Sequence, residues 1–431
     1  PEIGYFDTTG FTPTKEMREN FILTGKKYNP KDIFQNQWFN TIFDKYEGKL
    51  NMLLSGETLN PPVDVQDTLV MSLYGGGRTM TGWDREYLEN KEEYLKLFDS
   101  VMQKEQERNI EFLEKSLKEV TGRKFAVACG SGTDALHFAL IGLDINSSED
   151  EVLVTNFSWI SSASVVSMAG ATPVFCDVDL DTYHISLDSI KRMCTDNTRA
   201  IIYPYLFGSI SDSTEILEFC KENNIAFIED ACQALGSSLN GKKAGTTGDI
   251  STLSFNANKV VAGIAGGGAV LTDSKEQAVL FRKLRKHGEN EVLGYNSKML
   301  GMNAEFIDFR LKKMDEWQTK RQAIAKKYDE ALRDLPVHIQ EPLAGLNHNY
   351  HKYVVRFEDK KTRDMVKNQL NASVHYGTPL SENEMYKYIQ HRKDDCPNSK
   401  LISETILTLP MNPYLTDDEI NTVTNTIMIL V

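Results

Sequence analysis

Residues 225–272 read IAFIEDACQALGSSLNGKKAGTTGDISTLSFNANKVVAGIAGGGAVLT, and their order sets the architecture expected of the chain. Ile225-Ala226-Phe227-Ile228 has the length and composition of a buried strand and ends on Glu229-Asp230. Residues 250–255 read as a second strand, followed by Asn256-Ala257-Asn258-Lys259. Gly263, Gly266, Gly267 and Gly268 crowd the approach to a third strand at 269–272. An acid at the carboxyl end of one strand and a lysine just past another face the crevice where open α/β sheets bind ligands.

Upstream, strands are expected at 125–128, 151–154, 173–178 and 200–205. Helices are expected between them at about 133–143, 160–169, 186–194 and 213–223. This βαβ rhythm predicts an α/β fold, a mostly parallel sheet with helices on both faces. Residues 84–121 carry Ile110, Leu113, Leu117 and Val120 at helical spacing, which predicts one or two long amphipathic helices. Downstream, a helix at 275–287 and a long charged one at 305–335 lead to a smaller C-terminal α+β domain. That domain opens at 353–357 and carries Val374-His375-Tyr376 and Ile406 to Pro410. Residues 1–70 read as short helices and a linker. Their aromatic residues (Phe34, Trp38, Phe39, Phe43, Tyr46) are expected to pack on the main domain or on a partner chain. Gly75-Gly76-Gly77-Arg78 is either a plain tight turn or a loop that approaches an anion. The expected division is an N-terminal extension 1–104, a large domain 105–317 and a small domain 318–431.

The chain of 431 residues is 41% hydrophobic and 25% charged, enough for a large core and more than one domain. A net charge of -13 argues against nucleic acid as a partner. Six scattered cysteines without a CxxC pair read as reduced thiols, and eight histidines without ligand spacing give no metal site. No charged-then-apolar leader and no membrane-length apolar run are present, so no membrane association and a cytoplasmic location are expected.

Lys259 and Asp230 are the residue types that pyridoxal 5'-phosphate requires: an amine for its Schiff base and a carboxylate for its pyridine nitrogen. Taken alone, they read more readily as a surface lysine and a capping acid, and the rest of the chain has to decide. Ala128 to Leu136 (ACGSGTDAL) is a strand, a glycine turn and a helix start, a phosphate cradle or an ordinary helix cap. Trp159 stands just past a strand, able to stack on a cofactor ring or to fill a core. Ser254 is a further candidate phosphate ligand.

In order, the chain carries Ser-Gly-Thr-x-Ala-Leu, a strand-end aromatic, Glu-Asp-Ala-x-Gln-Ala-x-Gly (229–236), Gly-Asp (248–249), Ser-Phe-x-x-x-Lys (254–259) and Gly-Gly-Ala-Val-x-Thr. Arg285-x-His287-Gly288, Gly294-Tyr295-Asn296-Ser297, residues 311–317, Tyr353 to Arg356, His375-Tyr376 and Leu409-Pro410-Met411 follow. Over roughly 105–431 this series resembles the DegT/StrS-type sugar aminotransferases, pyridoxal-phosphate enzymes of fold type I.

The resemblance implies that Lys259 is the Schiff-base lysine and proton shuttle, and that Asp230 pairs with the pyridine nitrogen. Gln233 would bond the ring hydroxyl and Trp159 would cover the ring face. Gly132, Thr133, Asp134 (through its backbone) and Ser254 would hold the phosphate. Asn296 would reach the phosphate of a neighbouring subunit, which implies a homodimer with shared active sites. The implied reaction is transfer of an amino group from L-glutamate to a keto sugar, nucleotide-linked, with a cyclitol acceptor or a non-catalytic regulatory role as alternatives. Arg78, Lys298 and Arg310 are candidate cations for the sugar's diphosphate. The chain departs from the family where Ala257-Asn258 precede the lysine and Val260 follows it. It also departs at Gly266 before the paired glycines, at Lys298 for the usual arginine, and at Thr155-Asn156.

Overall fold

The computed structural model describes residues 82–103 and 106–431, and everything below concerns these residues. The expectations for residues 1–70 and for the turn at Arg78 lie outside them.

Three helices come first: α1 (Gly82–Glu89), α2 (Lys91–Gln103) and α3 (Gln106–Thr121). On α3, Ile110, Leu113 and Leu117 are buried, and Val120 packs against the same core, so the expected apolar stripe faces inward. The alternation then runs β1 (Phe125–Cys129), α4 (Gly132–Gly142), β2 (Glu151–Thr155), α5 (Ser161–Met168), β3 (Thr172–Cys176), α6 (Leu187–Met193), β4 (Thr198–Pro204), α7 (Thr214–Glu222), β5 (Ala226–Asp230), β6 (Ile250–Ser254), β7 (Gly268–Thr272) and α8 (Lys275–Leu284).

These strands form one sheet in the order β1-β7-β6-β5-β4-β2-β3, closed at its edge by β10 (Arg392–Lys393). Only β7 is antiparallel to its neighbours. Successive strand residues point to opposite faces, and each face has its own core. Ala126, Leu153, Ile201, Tyr203, Phe227 and Leu253 pack with α3, α7 and α9 (Gly301–Leu332). Val127, Val152, Val154, Ile202, Ile228 and Ile250 pack with α4, α5 and α8. Burial on both faces explains why these strands read as continuous apolar runs rather than alternating ones.

Helix α9 is 32 residues, about 48 Å at the usual rise. It begins four residues before the expected start. Its cap residue Leu300 makes no side-chain cap bond, and the first turn is anchored by Asn303 instead. Ala304, Ile307 and Met314 belong to the core of the large sheet, while Ile324, Tyr328 and Leu332 belong to a second one. The second core is built on an antiparallel sheet in the order β8 (Val337–Ile339), β9 (Tyr353–Phe357), β11 (Ile406–Leu409). It is covered by α10 (Lys360–Leu370) and α12 (Asp417–Leu430), with α11 (Pro397–Thr405) leading into β11. Strand β10 was not expected. It is two charged residues long, and Arg392 secures it by pairing with Glu151 (2.6 Å). Among the described residues no helix is long and apolar enough to cross a membrane, and no cluster of metal-ligating side chains forms.

Candidate active site

The parallel strands and β1 all end at one edge of the sheet. That edge receives the turn at 130–134, residues 155–159, Asp230, Ser254 and the loop that carries Lys259.

Glu229 and Asp230 end β5 on opposite faces, and their environments separate their jobs. Glu229 is fully buried and accepts hydrogen bonds from the amides of Gly245 (2.7 Å), Thr247 (2.8 Å) and Gly248 (3.3 Å) and from Ser251 Oγ (2.8 Å). It is a structural acid. Asp230 points to the open edge, 8% exposed, and accepts one bond from the Cys232 amide (3.1 Å).

Lys259 lies in a tight turn after β6, its amide donating to Asn256 O (2.9 Å). The residue is half-buried, and its amine is pulled below the usual lysine range chiefly by desolvation, with Cys232 and Asp230 opposing. Burial pushes the Cys232 thiol well up, so near neutral pH it is uncharged and the interaction left opposite the lysine is that with Asp230. The far side of the lysine loop is fastened to α9. Asn303 accepts from Ala265 N (3.1 Å) and donates to Gly266 O (2.7 Å), and Arg310 donates to Ala262 O (2.5 Å).

The turn before α4 is fastened locally. Ser131 Oγ caps the helix by accepting from Asp134 N (3.0 Å), and Ser297 Oγ accepts from Gly130 N (2.9 Å) while donating to Asp134 Oδ2 (2.7 Å). Thr133 and Ser161 share a hydroxyl hydrogen bond (2.8 Å). The amides of Gly132 and Thr133 are first-turn donors that the helix itself cannot satisfy. A Cβ at Gly132 would lie 2.7 Å from Ser254 Cβ and 3.2 Å from Cys232 Sγ. Glycine is therefore required there by close approach, and the turn, Ser254 and the Asp230 segment meet at this point.

Gln233 is buried and spans the site. Its Oε1 accepts from Phe207 N (2.9 Å) and its Nε2 donates to Tyr376 Oη (3.0 Å). Trp159 is 59% exposed, its ring 6.4 Å from that of Tyr376, so the alternative of a core tryptophan is overturned. The edge thus gathers Gly132, Thr133, Asp134, Trp159, Asp230, Gln233, Ser254 and Lys259. Asn296 is different: it faces solvent beside an antiparallel bridge to Lys286, and its neighbour Ser297 is what touches the turn.

Two expectations need correction. Arg310 is not available to a substrate: it is 2% exposed, and its guanidinium is engaged by Glu86, Tyr94 and Ala262 O. The Asp134 amide is already donated to Ser131. Tyr376 and Asn303 shape the site and were missed by sequence reasoning, while Arg310, expected as a cation for substrate, instead holds the lysine loop from within. Tyr376 was visible in the His375-Tyr376 motif, but nothing local assigns it to Gln233, 143 positions away.

A lysine amine pulled down by desolvation, a strand-end carboxylate and first-turn amides that their own helix does not satisfy, behind an obligatory glycine, form a donor set that fits pyridoxal phosphate. Comparison with known proteins agrees. A family model described as DegT/DnrJ/EryC1/StrS aminotransferase matches residues 88–428, starting earlier than the motifs at 105. The chain is 33% identical over 318 residues to a UDP-N-acetyl-3-dehydro-α-D-glucosamine 3-aminotransferase of Acidithiobacillus ferrooxidans, covering 72% of this chain and 85% of that one. It is 30% identical over 354 residues to a protein of Geobacillus stearothermophilus named pleiotropic regulatory protein, covering 79% and 95%. The structure of NtdA from Bacillus subtilis with bound cofactor PMP superposes with a TM-score of 0.70 at 25% identity, covering 79% and 82%.

Proposed function

The chain belongs to the DegT/DnrJ/EryC1/StrS aminotransferase family and is a pyridoxal-phosphate-dependent transaminase, and from that premise we propose that it moves an amino group from L-glutamate to a nucleotide-linked keto sugar. The observation that carries the reading is the meeting of Lys259, Asp230, Ser254 and the 130–134 turn at one sheet edge.

When bound, the cofactor supplies an electron sink for the carbon that gains or loses a proton. The chain supplies the rest. Lys259, its pKa lowered by burial, is the amine that would hold the cofactor and carry protons to and from substrate. Asp230 holds the ring nitrogen protonated through its charge. Gln233 keeps donor capacity for the ring hydroxyl beyond its bond to Tyr376, and Trp159 covers the ring. The amides of Gly132 and Thr133 and the Ser254 hydroxyl hold the phosphate, while the Asp134 amide stays with Ser131. Asn296, exposed at its isolated bridge to Lys286, would reach the partner's phosphate in a homodimer. Lys298, also exposed, is the remaining described candidate for the diphosphate.

The nucleotide-linked acceptor is favoured by the named activity of the Acidithiobacillus relative. The test is a screen of UDP-, GDP- and dTDP-linked keto sugars with glutamate, following 2-oxoglutarate. Turnover only with a free cyclitol ketone would move the substrate class. A regulatory role is the second reading, favoured by the name of the Geobacillus relative. Bound cofactor with no turnover on any keto acceptor would support it.

A further inference from the structure

Helix α1 lies almost wholly ahead of the segment that matches the family, yet it reaches the loop that carries Lys259. The link is Arg310. Its Nε donates to Glu86 Oε1 on α1 (2.7 Å) and to Tyr94 Oη on α2 (3.1 Å), while a terminal nitrogen donates to Ala262 O (2.5 Å), three residues past Lys259. Tyr94 donates to Glu86 in turn, and its ring lies 5.6 Å from the guanidinium carbon. On its other side α1 is tied to the C-terminal segment, where Arg85 binds Glu419 (2.7 Å) and Tyr414 O (2.6 Å).

A guanidinium buried this fully must have its charge answered, and Glu86 is a carboxylate bound to it. Without that charge the favourable position for the cation is outward, toward water, which would free the Ala262 carbonyl. Beside its own backbone bonds, from Gly263 N to Phe255 O (2.7 Å) and from Lys259 N to Asn256 O (2.9 Å), the loop has two side-chain fastenings to α9: Asn303 holds 265–266 and Arg310 holds 262, so the half nearest the lysine is the half linked to α1. We propose that Glu86 and Arg310 are a positioning pair that sets the lysine loop, making α1 a working part of the cofactor site. The inference rests on the reading of Lys259 as the cofactor lysine.

The test uses the full chain, with and without pyridoxal phosphate, and the variants Glu86→Gln, Tyr94→Phe and Arg310→Lys, with Arg85→Gln as control. Lysine keeps the charge of Arg310 but not the fork that spans Glu86 and Ala262 together. In the cofactor-free protein, hydrogen exchange at the Lys259 and Gly263 amides should rise about tenfold in Glu86→Gln and Arg310→Lys, with Ala265 and Gly267 unchanged. Pyridoxal phosphate should bind these two about tenfold more weakly, Tyr94→Phe should lie between them and wild type, and Arg85→Gln should match wild type. Unchanged exchange at 259–263 in Glu86→Gln would overturn the proposal, as would an equal rise in Arg85→Gln, or a looser loop with unchanged cofactor affinity. Glu86 keeps 13% of its side chain exposed and Glu86→Gln keeps its shape, so with Tyr94→Phe as a second variant the test stays decisive even if Arg310→Lys does not fold. Should borohydride fix the cofactor elsewhere while exchange responds as stated, the pair stands and the reading of Lys259 fails.

Discussion

Two loops meet at the carboxyl edge of the sheet, and they are held in opposite ways. The turn at 130–134 is fastened by near neighbours in the helix it starts and by one serine, Ser297. The lysine loop is fastened from a distance, by Asn303 and Arg310 on α9 and through Arg310 by Glu86 on α1. A locally held turn can present fixed amides to an anion. A remotely held loop can place a lysine whose surroundings, rather than its own sequence, set its proton affinity. The difference predicts that changes in the turn act on cofactor affinity alone, and that changes around the lysine act on chemistry as well as on affinity.

The largest effect should come from the chemical side. Lys259→Ala removes both the bond to cofactor and the proton carrier, and turnover should fall at least 10²- to 10⁴-fold, roughly the worth of a general acid–base group. Steady-state rates with glutamate and an active keto acceptor check it.

Asp230→Asn keeps shape and loses charge. Turnover should fall by about 10²-fold or more, while cofactor still binds. It also carries a pH signature. Burial lowers the Lys259 pKa and Asp230 opposes that, so the rate of cofactor capture should rise with pH through a midpoint below the ordinary lysine value. Removing the Asp230 charge should move the midpoint lower still. An upward move would contradict the assigned electrostatics.

How far the sequence revealed each region follows from the same contrast. The strands around Val154, Ile202 and Phe227 were legible because burial on both faces leaves continuous apolar runs. Ser131-Gly132-Thr133 was legible because a capped helix start is written in consecutive residues. Lys259 and Asp230 were candidates from their places at strand ends, and only the order of the motifs around them set them apart from a surface lysine and a capping acid. Arg310 was not, because a charged residue in a long helix reads as solvent-facing until the helix is packed, and its partner Glu86 is 224 positions away. Strand β10 was hidden for a related reason: two charged residues carry no strand signal, and only the free edge of β3 makes them one.

On the turn side, Gly132→Ala would set a methyl 2.7 Å from Ser254 Cβ. Overpacking of this kind costs about 1–3 kcal/mol, and a weakened cofactor Kd, read by absorbance titration, should exceed the change in turnover of the saturated enzyme. The smallest effect should be Ser297→Ala, which removes the partner of Gly130 N and Asp134 Oδ2 and should cost about 0.5–1.5 kcal/mol by denaturant titration. If Ser297→Ala instead abolished turnover at saturating cofactor, the turn would not be the purely binding element that the contrast requires.

The most direct measurement is chemical. The holoprotein is reduced with borohydride, digested and mapped by mass spectrometry. The account predicts a single phosphopyridoxyl label, on the peptide containing Lys259, and none in Lys259→Ala. A label on another lysine, Lys298 or Lys243 for example, or an unlabelled Lys259 in protein with bound cofactor, would contradict it.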